Sequence, residues 1–464
     1  MFNKQVYTDR RARLHASMDN GIVLILGNNE APMNYPDNTY HYRQDSTFLY
    51  FFGIDHPGFA GVMDLDASKD IIFANDVSMG DIIWMGPQPA VKDQAAEVGV
   101  TETKPFDSLL AYIKNAVAKG RKIHFTPPYR ADNMMLLEEL TGVKAKDTKA
   151  AASTELIYAI VALRNIKDKY EIAHLDDIMS IGYQMHTTAM RMAIDGAHEQ
   201  EITGAVEAVA LHNGGHVSFP IILSKRGETL HNHNHNNLLK TNDLLLVDCG
   251  FESSMRYATD NTRVSPVGGT FTAQQQEIYN IVLAANNNVN AQTKAGVYYR
   301  DMHFVAAKTL AQGLKDLGIM KGDIDEAVAA GAHALFQPHG LGHMMGLDVH
   351  DMEDYGEDFV GYGKNMKRSS QFGLSGLRLA RQLEVGNVFT NEPGCYFIPA
   401  LIDKWKAEGT NKDFINFDKL DSYRDFGGIR LEDDLVITED GSCRIMGDKR
   451  IPITIEELAN TIGK

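Results

Sequence analysis

The chain has 464 residues, of which 44% are hydrophobic and 23% are charged. These fractions are typical of folded globular proteins and exclude a disordered, collagen-like or coiled-coil chain. At roughly 150 residues per domain, the length predicts two or three domains. The 45 Lys and Arg residues and 61 Asp and Glu residues give a net charge of −16. A surface this acidic would repel a phosphate backbone, so we expect no nucleic-acid partner.

The chain carries no sequence signal for a membrane or an export route. Apolar runs such as residues 22–26 and 244–247 are four or five residues long, whereas a helix needs about 20 to span a bilayer. The charged first residues lack an apolar stretch with a cleavage site, so we expect no secretory signal. Three cysteines without CxxC spacing are typical of a reducing compartment. We therefore expect a cytoplasmic protein that does not bind membranes.

The first 150 residues alternate short β-rich runs with helical stretches. The β-rich runs are residues 22–26, 48–52, 70–74 and 122–125, and a helical stretch covers residues 107–118. This alternation predicts an α/β domain over residues 1–150.

A long helical region is predicted over residues 155–194, because its apolar residues recur at spacings of three and four. Gly182 is its one weak point. After residue 216 the chain is β-rich again, with helices expected at residues 272–292 and 301–317. We therefore place a domain boundary near residue 150 and expect a second domain over residues 151–464.

Several common enzyme motifs are missing. GxSxG, HExxH and GxxxxGK[ST] do not occur, which argues against a serine-hydrolase elbow, a zincin helix and a P-loop. The segment HGLGHMMG contains glycines, but their GxGxxxG spacing and its two imidazoles fit a dinucleotide loop poorly. The catalytic candidates must come from other residues.

Four acidic residues lie in sequence that should form buried strands. Asp248 ends the run LLLV, Asp260 follows twelve residues later, and Glu392 and Glu432 stand among β-branched or aromatic residues. A buried carboxylate is costly unless it is paired or bound to a metal. Four carboxylates in one place would repel one another, and two divalent cations would cancel their charge. These residues therefore favour a dinuclear metal site.

Each candidate also has a purely structural explanation. A single Asp at a strand end is often a turn or cap residue, and Glu before Pro-Gly is often a surface turn. His343 could be a buried histidine with satisfied hydrogen bonds, and the three histidines of LHNHNHNN could form only a polar loop. Cys249 and Cys395, beside two of the acidic residues, are expected to be small packing residues.

Taken together, the motifs resemble the pita-bread metallopeptidases that include aminopeptidase P and prolidase. That family carries Asp, Asp, His, Glu and Glu in this order, within words that stand here as VDCG, TDNTR, HGLGHMMGLDVHD, TNEPG and GIRLEDD. LRNIKDKYEI resembles the helix that opens the catalytic domain, and YRQDSTFLYFFG resembles the shared N-terminal domain. The resemblance covers nearly the whole chain. It implies an α/β N-terminal domain followed by an α+β pita-bread catalytic domain, in which helices back a curved antiparallel sheet.

The resemblance also implies roles for individual residues. The implied metal ligands are Asp248, Asp260, His343, Glu392 and Glu432. The matched active-site histidines that do not bind metal are His231, His339 and His350. Tyr396 and Arg430 match residues that support the ligands or face the substrate, and Trp84 matches a tryptophan that reaches a neighbouring subunit's site. The spacing of Asp248 and Asp260 is one residue longer than the family implies, which predicts a β-bulge between them.

Such a site implies two divalent ions per chain. Four oxygen donors and one imidazole form a hard ligand set that suits Mn²⁺, although Zn²⁺, Co²⁺ or Fe²⁺ could also bind. The ions would generate a hydroxide nucleophile near neutral pH. Glu392 would take up a proton, His350 would stabilise the oxyanion, and His339 would help to hold a proline residue.

The implied reaction is release of the first residue from Xaa-Pro peptides. This task calls for a dedicated enzyme, because an Xaa-Pro bond lacks an N–H and has a fixed φ. Arg378 resembles the arginine with which prolidase binds a dipeptide's carboxylate, although it could be a surface residue beside Arg381. The N-terminal domain is at least as similar to aminopeptidase P. We favour an aminopeptidase and keep a dipeptidase as the alternative.

Two further hypotheses remain, namely an inactive pita-bread protein-binding module and a metal-free hydrolase of creatine-like substrates. Both would be expected to lack ligands that are present here. The resemblance also implies a homodimer.

Overall fold

The computed structural model describes residues 1–464, which form two compact units. The first unit contains Met1–Arg164 together with Met352–Phe359, and the second contains Asn165–Asp351 and Val360–Lys464. The first unit therefore ends later than residue 150 and also takes in one short segment from the second half of the chain. None of the helices combines the length and the apolar character that crossing a bilayer requires.

The first unit is built on a mixed five-stranded sheet with the order β4-β3-β2-β1-β5. The strands are β1 Ile22–Leu26, β2 Ala60–Asp64, β3 Lys69–Phe73, β4 Glu102–Lys104 and β5 Ile123–His124. The helices are α1 Lys4–Ser17, α2 Ser46–Phe52, α3 Met79–Met85, α4 Val91–Glu97, α5 Ser108–Ala118, α6 Ala131–Thr141, α7 Thr148–Ala151 and α8 Thr154–Arg164. Apolar side chains of the central strands pack against α5 and α6, which confirms the predicted α/β class.

The predicted strand at residues 48–52 is wrong, because these residues belong to helix α2. The Asp45 side chain caps the helix by accepting a hydrogen bond from the Phe48 N–H, and Gly53 ends it with φ of 63°. All seven residues of α2 are buried. Its aromatic composition therefore reflects burial on every side of a short helix, which periodicity cannot distinguish from a buried strand.

The second unit consists of short antiparallel sheets and longer helices. Its strands are β6 His216–Val217, β7 Ile222–Ser224, β8 Leu244–Cys249, β9 Phe251–Glu252, β10 Asn261–Pro266, β11 Val388–Asn391, β12 Gly394–Tyr396, β13 Gly428–Arg430, β14 Asp433–Ile437 and β15 Cys443–Ile445. Its helices are α9 Lys169–Met192, α10 Glu199–His212, α11 Ala273–Gln292, α12 Tyr299–Asp316, α13 Ile324–Ala329, α14 Pro399–Glu408 and α15 Ile455–Thr461. The sheets have the orders β10-β8-β7, β11-β14-β15, β12-β13 and β6-β9.

The expected long helix is interrupted, but not at Gly182. Helix α8 ends at Arg164, and α9 begins at Lys169 and runs without a break to Met192. Asp168 caps α9 by accepting hydrogen bonds from two backbone N–H groups, and Glu171 completes a capping box. Gly182 is instead a packing position, since a Cβ there would lie 3.3 Å from Thr259 Oγ1. The two later helices lie within two residues of their predicted bounds.

The predicted bulge between Asp248 and Asp260 is also wrong. Strands β8 and β10 pair without interruption, from Cys249 opposite Asn261 to Leu244 opposite Pro266. The bridge between Glu252 and Ala258 keeps the same register. The additional residue therefore lies in the turn at residues 253–257.

Candidate active site

The carboxylates predicted from the sequence meet at one cavity of about 790 Å³ in the second unit. Asp248 lies near the end of β8, and Asp260 directly precedes β10, which pairs with β8. Glu392 directly follows β11, and Glu432 directly precedes β14, which pairs with β11. A bridge between Thr262 and Glu432 joins the two sheets. The antiparallel pairing therefore brings acidic residues that are distant in the chain to one place.

The loop with the sequence HGLGH brings His343 to the same cavity by running along β11. Its carbonyl at His343 accepts a hydrogen bond from the Thr390 N–H at 3.0 Å, and its carbonyl at Leu341 accepts one from the Glu392 N–H at 2.8 Å. Gly342 permits this approach, because a Cβ there would lie only 2.0 Å from the Thr390 carbonyl oxygen.

The donor atoms of Asp260, His343 and Glu432 all lie within 4.8 Å of one another. His343 Nε2 is 3.3 Å from Asp260 Oδ2 and 4.0 Å from Glu392 Oε1. His343 Nδ1 faces the Met344 carbonyl oxygen at 3.2 Å. A carbonyl oxygen can only accept, so this contact places the proton on Nδ1 and leaves Nε2 able to bind a cation.

The electrostatics of these residues suit divalent cations. Burial, together with the negative charge of neighbouring carboxylates, raises the pKa of Asp260 and of Glu432 well above its usual range. Burial also raises the pKa of Glu392. Oδ1 of Asp248 and Oδ1 of Asp260 are buried without a hydrogen-bond partner. Crowded carboxylates with unpaired buried oxygens fit a group that supplies positive charge and takes oxygen ligands.

Arg430, which lines the cavity, and Tyr396 form a chain of hydrogen bonds beside it. Arg430 donates to Asp248 Oδ2 at 2.5 Å and to the Tyr396 hydroxyl at 2.8 Å. The Tyr396 hydroxyl lies 3.0 Å from His339 Nε2, and His339 Nδ1 lies 2.7 Å from the Gly340 carbonyl oxygen. The carbonyl requires the proton on Nδ1, so Nε2 accepts from tyrosine. Burial, reinforced by Arg430, lowers the pKa of His339 to about 4, which keeps the ring neutral.

Sequence reasoning missed Thr262, which links this chain to a predicted ligand. Its hydroxyl accepts a hydrogen bond from Arg430 Nε at 3.1 Å and donates one to Glu432 Oε2 at 2.7 Å. The polar Thr within the buried strand NTRVSP was the available signal, because a buried hydroxyl usually has a partner.

Three more of the predicted residues belong to the same cavity. His231, His350 and Arg378 line the cavity, as does His233, which was not assigned a role. The rings of His350 and His343 meet edge to face with centroids 4.3 Å apart. Burial, together with Arg430, lowers the pKa of His231.

Trp84 is the one predicted residue outside this unit. It lies on α3 of the first unit, is 88% exposed and does not line the cavity.

Residues 173–439 match metallopeptidase family M24, and residues 7–124 match the N-terminal domain of aminopeptidase P. The first match covers more than half of the chain. The chain belongs to metallopeptidase family M24. The predicted two-domain pita-bread fold and the predicted family are thereby confirmed.

Relatives in this family resemble the chain over nearly its full length. Human Xaa-Pro dipeptidase is 30% identical over 470 residues, which cover 98% of this chain and 91% of the relative. A probable Xaa-Pro aminopeptidase of Sordaria macrospora is 30% identical over 94% of this chain and 91% of its own length. The structure of a variant of Escherichia coli aminopeptidase P in complex with substrate matches with a TM-score of 0.79 and 28% identity, covering 99% and 98% of the two chains.

Proposed function

We propose that this M24 peptidase is a metal-dependent exopeptidase that releases the first residue of Xaa-Pro peptides. The observation that supports this most directly is that four carboxylates and one imidazole, all proposed ligands, line one cavity, namely Asp248, Asp260, His343, Glu392 and Glu432. Relatives named Xaa-Pro dipeptidase and Xaa-Pro aminopeptidase, which match nearly the whole chain, support the choice of substrate.

The five ligands would hold two divalent ions, and their four carboxylates favour Mn²⁺. When bound, such ions lower the pKa of water and polarise a carbonyl group. Arg430 contributes by holding one oxygen of Asp248 and leaving the other without a protein partner. It therefore fixes the orientation of the Asp248 carboxylate and leaves Oδ1 for a metal ion.

The remaining residues would orient the peptide and move a proton. Glu392, which lines the cavity and faces His343, is proposed to accept a proton from the attacking water. His350, beside His343, would donate a hydrogen bond to the developing oxyanion. His339, kept neutral and fixed by Tyr396, would contact the proline residue, and His231, which also lines the cavity, would contact the substrate.

An apolar part of the cavity offers a surface for substrate side chains. It is formed by Phe219, Pro220, Ile222, Leu230 and Val349. A proline ring presents an apolar face but no N–H. Apolar contact with these side chains would therefore favour a proline ring in the substrate. It would replace the hydrogen bond that other peptidases form with a backbone N–H of the substrate.

The length of the substrate is open to a direct test, and Arg378 makes a dipeptidase the specific alternative. This arginine lines the cavity, where a guanidinium could bind a dipeptide's carboxylate through two parallel hydrogen bonds. We favour the aminopeptidase and expect the Mn²⁺-loaded enzyme to cleave Arg-Pro-Pro to arginine and Pro-Pro. We expect a chelator to abolish activity and added Mn²⁺ to restore it.

Cleavage of Gly-Pro alone would contradict the aminopeptidase assignment. If, in addition, Arg378→Ala raised KM for Gly-Pro at least tenfold, equivalent to about 1.4 kcal/mol of binding, the dipeptidase assignment would replace it. Activity that persisted in metal-free protein would contradict both.

We also propose a homodimer in which Trp84 contacts the partner. Helix α3 has no buried residue and exposes Met79, Ile83 and Met85 as well as Trp84. A seven-residue helix is marginal in water without packing contacts, so a partner surface would account for its order. Light scattering that showed a fully active monomer would contradict this proposal. A cytoplasmic location stays a prediction.

A further inference from the structure

The segment between α8 and α9 reaches the active-site loop through a buried ion pair. Lys167 Nζ lies 2.9 Å from Asp351 Oδ2, and both side chains are only 1% exposed. Asp351 directly follows His350, which lines the cavity. Because an unpaired charge is costly in such a buried place, the pair holds these two segments together at a defined separation.

The backbone around Lys167 is fixed to the sheet that carries Glu392. The Lys167 N–H donates to the Gly386 carbonyl at 2.8 Å. The Asn387 side chain donates to the Asn165 carbonyl at 2.9 Å. Gly386 and Asn387 directly precede β11, and Glu392 directly follows it. The lysine side chain therefore connects this sheet to the loop that carries His350.

The loop itself, residues 344–351, is closed and packs tightly on the lysine. The Asp351 N–H donates to the Met344 carbonyl at 2.9 Å. A Cβ at Gly346 would lie 2.8 Å from Lys167 Cε and 3.1 Å from Asp351 Oδ2. His343 directly precedes the loop and His350 lies near its end, so a shift of Asp351 would move His350 relative to the ligands.

We propose that Lys167 is a positioning residue that sets His350 against the metal ligands through its ion pair with Asp351. Lys167 does not line the cavity, so it acts on the reaction only through the loop. The inference rests on the proposed function, because it assigns His350 a contact with the reacting peptide.

The test begins with Lys167→Met, which keeps the length of the side chain and removes its charge. We expect kcat to fall roughly 10–100-fold, as is typical when a group that orients an active-site residue is lost. The metal content should change little, because His350 is not a proposed ligand. KM should also change little, because His350 is proposed to contact an oxyanion that develops only during the reaction. Asp351→Asn keeps an oxygen acceptor and should lose less. Arg256→Met is a matched control that breaks the buried pair with Glu252 and should leave kcat unchanged.

A double-mutant cycle separates positioning from a general loss of structure. In a His350→Ala background, Lys167→Met should reduce kcat no further, because its effect passes through the missing imidazole. A full multiplicative loss in the double variant would overturn the proposal. If Lys167→Met does not fold, Asp351→Asn in the same cycle decides the question.

The outcome for the unmodified enzyme keeps the two proposals apart. A wild-type enzyme that cleaves no Xaa-Pro peptide would contradict the proposed function. A wild-type enzyme that is active, with Lys167→Met turning over at the same rate, would contradict only the role of Lys167.

Discussion

Two histidines four residues apart in the word HGLGH have different surroundings. Nε2 of His343 faces Asp260 and Glu392, whereas Nε2 of His339 accepts a hydrogen bond from Tyr396. In both rings the neighbouring carbonyl holds the proton on Nδ1. The unprotonated Nε2 of His343 can therefore bind a cation, whereas the unprotonated Nε2 of His339 is already occupied by the Tyr396 hydroxyl.

This difference predicts two classes of variant. His343→Ala should lose bound metal and activity together. His339→Ala and His350→Ala should retain two ions per chain and lose about 10²–10⁴-fold in rate, the range expected for groups that assist the reaction. Elemental analysis after dialysis, paired with kcat, distinguishes the classes. Two ions per chain in His343→Ala would show that its assignment as a ligand is wrong.

At the scale of elements, the crossing of the HGLGH loop over β11 holds His343 beside Glu392. Gly342→Ala should disturb this crossing, because the new Cβ would meet the backbone carbonyl of Thr390 at 2.0 Å. We expect a loss of about 1–3 kcal/mol in the free energy of unfolding, together with weaker metal binding. Urea unfolding and metal titration would measure the two effects.

Gly204→Ala provides the matched control for that variant. Gly204 lies within α10, and a Cβ there would meet no atom within 4 Å. Alanine at such a helical position should stabilise the protein by about 0.5–1 kcal/mol. Equal destabilisation by the two substitutions would mean that the close approach at Gly342 is not what limits that position.

The elements also show what could be predicted from the sequence. The meeting of Asp248, Asp260, Glu392 and Glu432 at one cavity could be predicted, because acidic residues embedded in strand-like sequence demand an explanation. Their role as metal ligands stays a prediction. The prediction of a strand at residues 48–52 was wrong, because a short helix that is buried on every side has the same continuous apolar run as a buried strand. Asp45 and Gly53, which bound this helix, were the signals that were overlooked. The break before α9 had its own signal in the capping box of Asp168 and Glu171. The linkage from Arg430 through Tyr396 could not be foreseen, because it depends on side-chain directions set by strand pairing.

At the scale of the whole molecule, His186, His303 and His333 are buried in the second unit, with at most 2% of each residue exposed. Burial lowers the pKa of His186 and of His303 to about 3 and that of His333 to about 4. The pKa in the unfolded chain is about 6.5, so the unfolded state binds protons first as pH falls. The free energy of unfolding therefore has its full value above pH 6.5 and falls as the pH drops, down to about pH 4 for His333 and about pH 3 for His186 and His303.

We therefore expect acid sensitivity that a single substitution reduces. Each of these histidines should lower the free energy of unfolding by about 2 kcal/mol between pH 7 and pH 5, because pH 5 is about 1.5 units below the pKa of histidine in the unfolded chain. Comparing His303→Gln with wild type by urea unfolding at both pH values cancels the contribution of all other groups. An identical fall in the free energy of unfolding in both proteins would contradict the buried neutral state of His303.

The inclusion of Met352–Phe359 in the first unit has a consequence for how the protein is made. Tyr355 of that segment contacts the Thr47 hydroxyl within the first unit. A ribosome that has finished Arg164 must add 355 − 164 = 191 residues before Tyr355 exists. At 5–20 residues per second, that delay is roughly 10–40 s. The first unit therefore emerges with one part of its interior, around Thr47, uncovered during this interval.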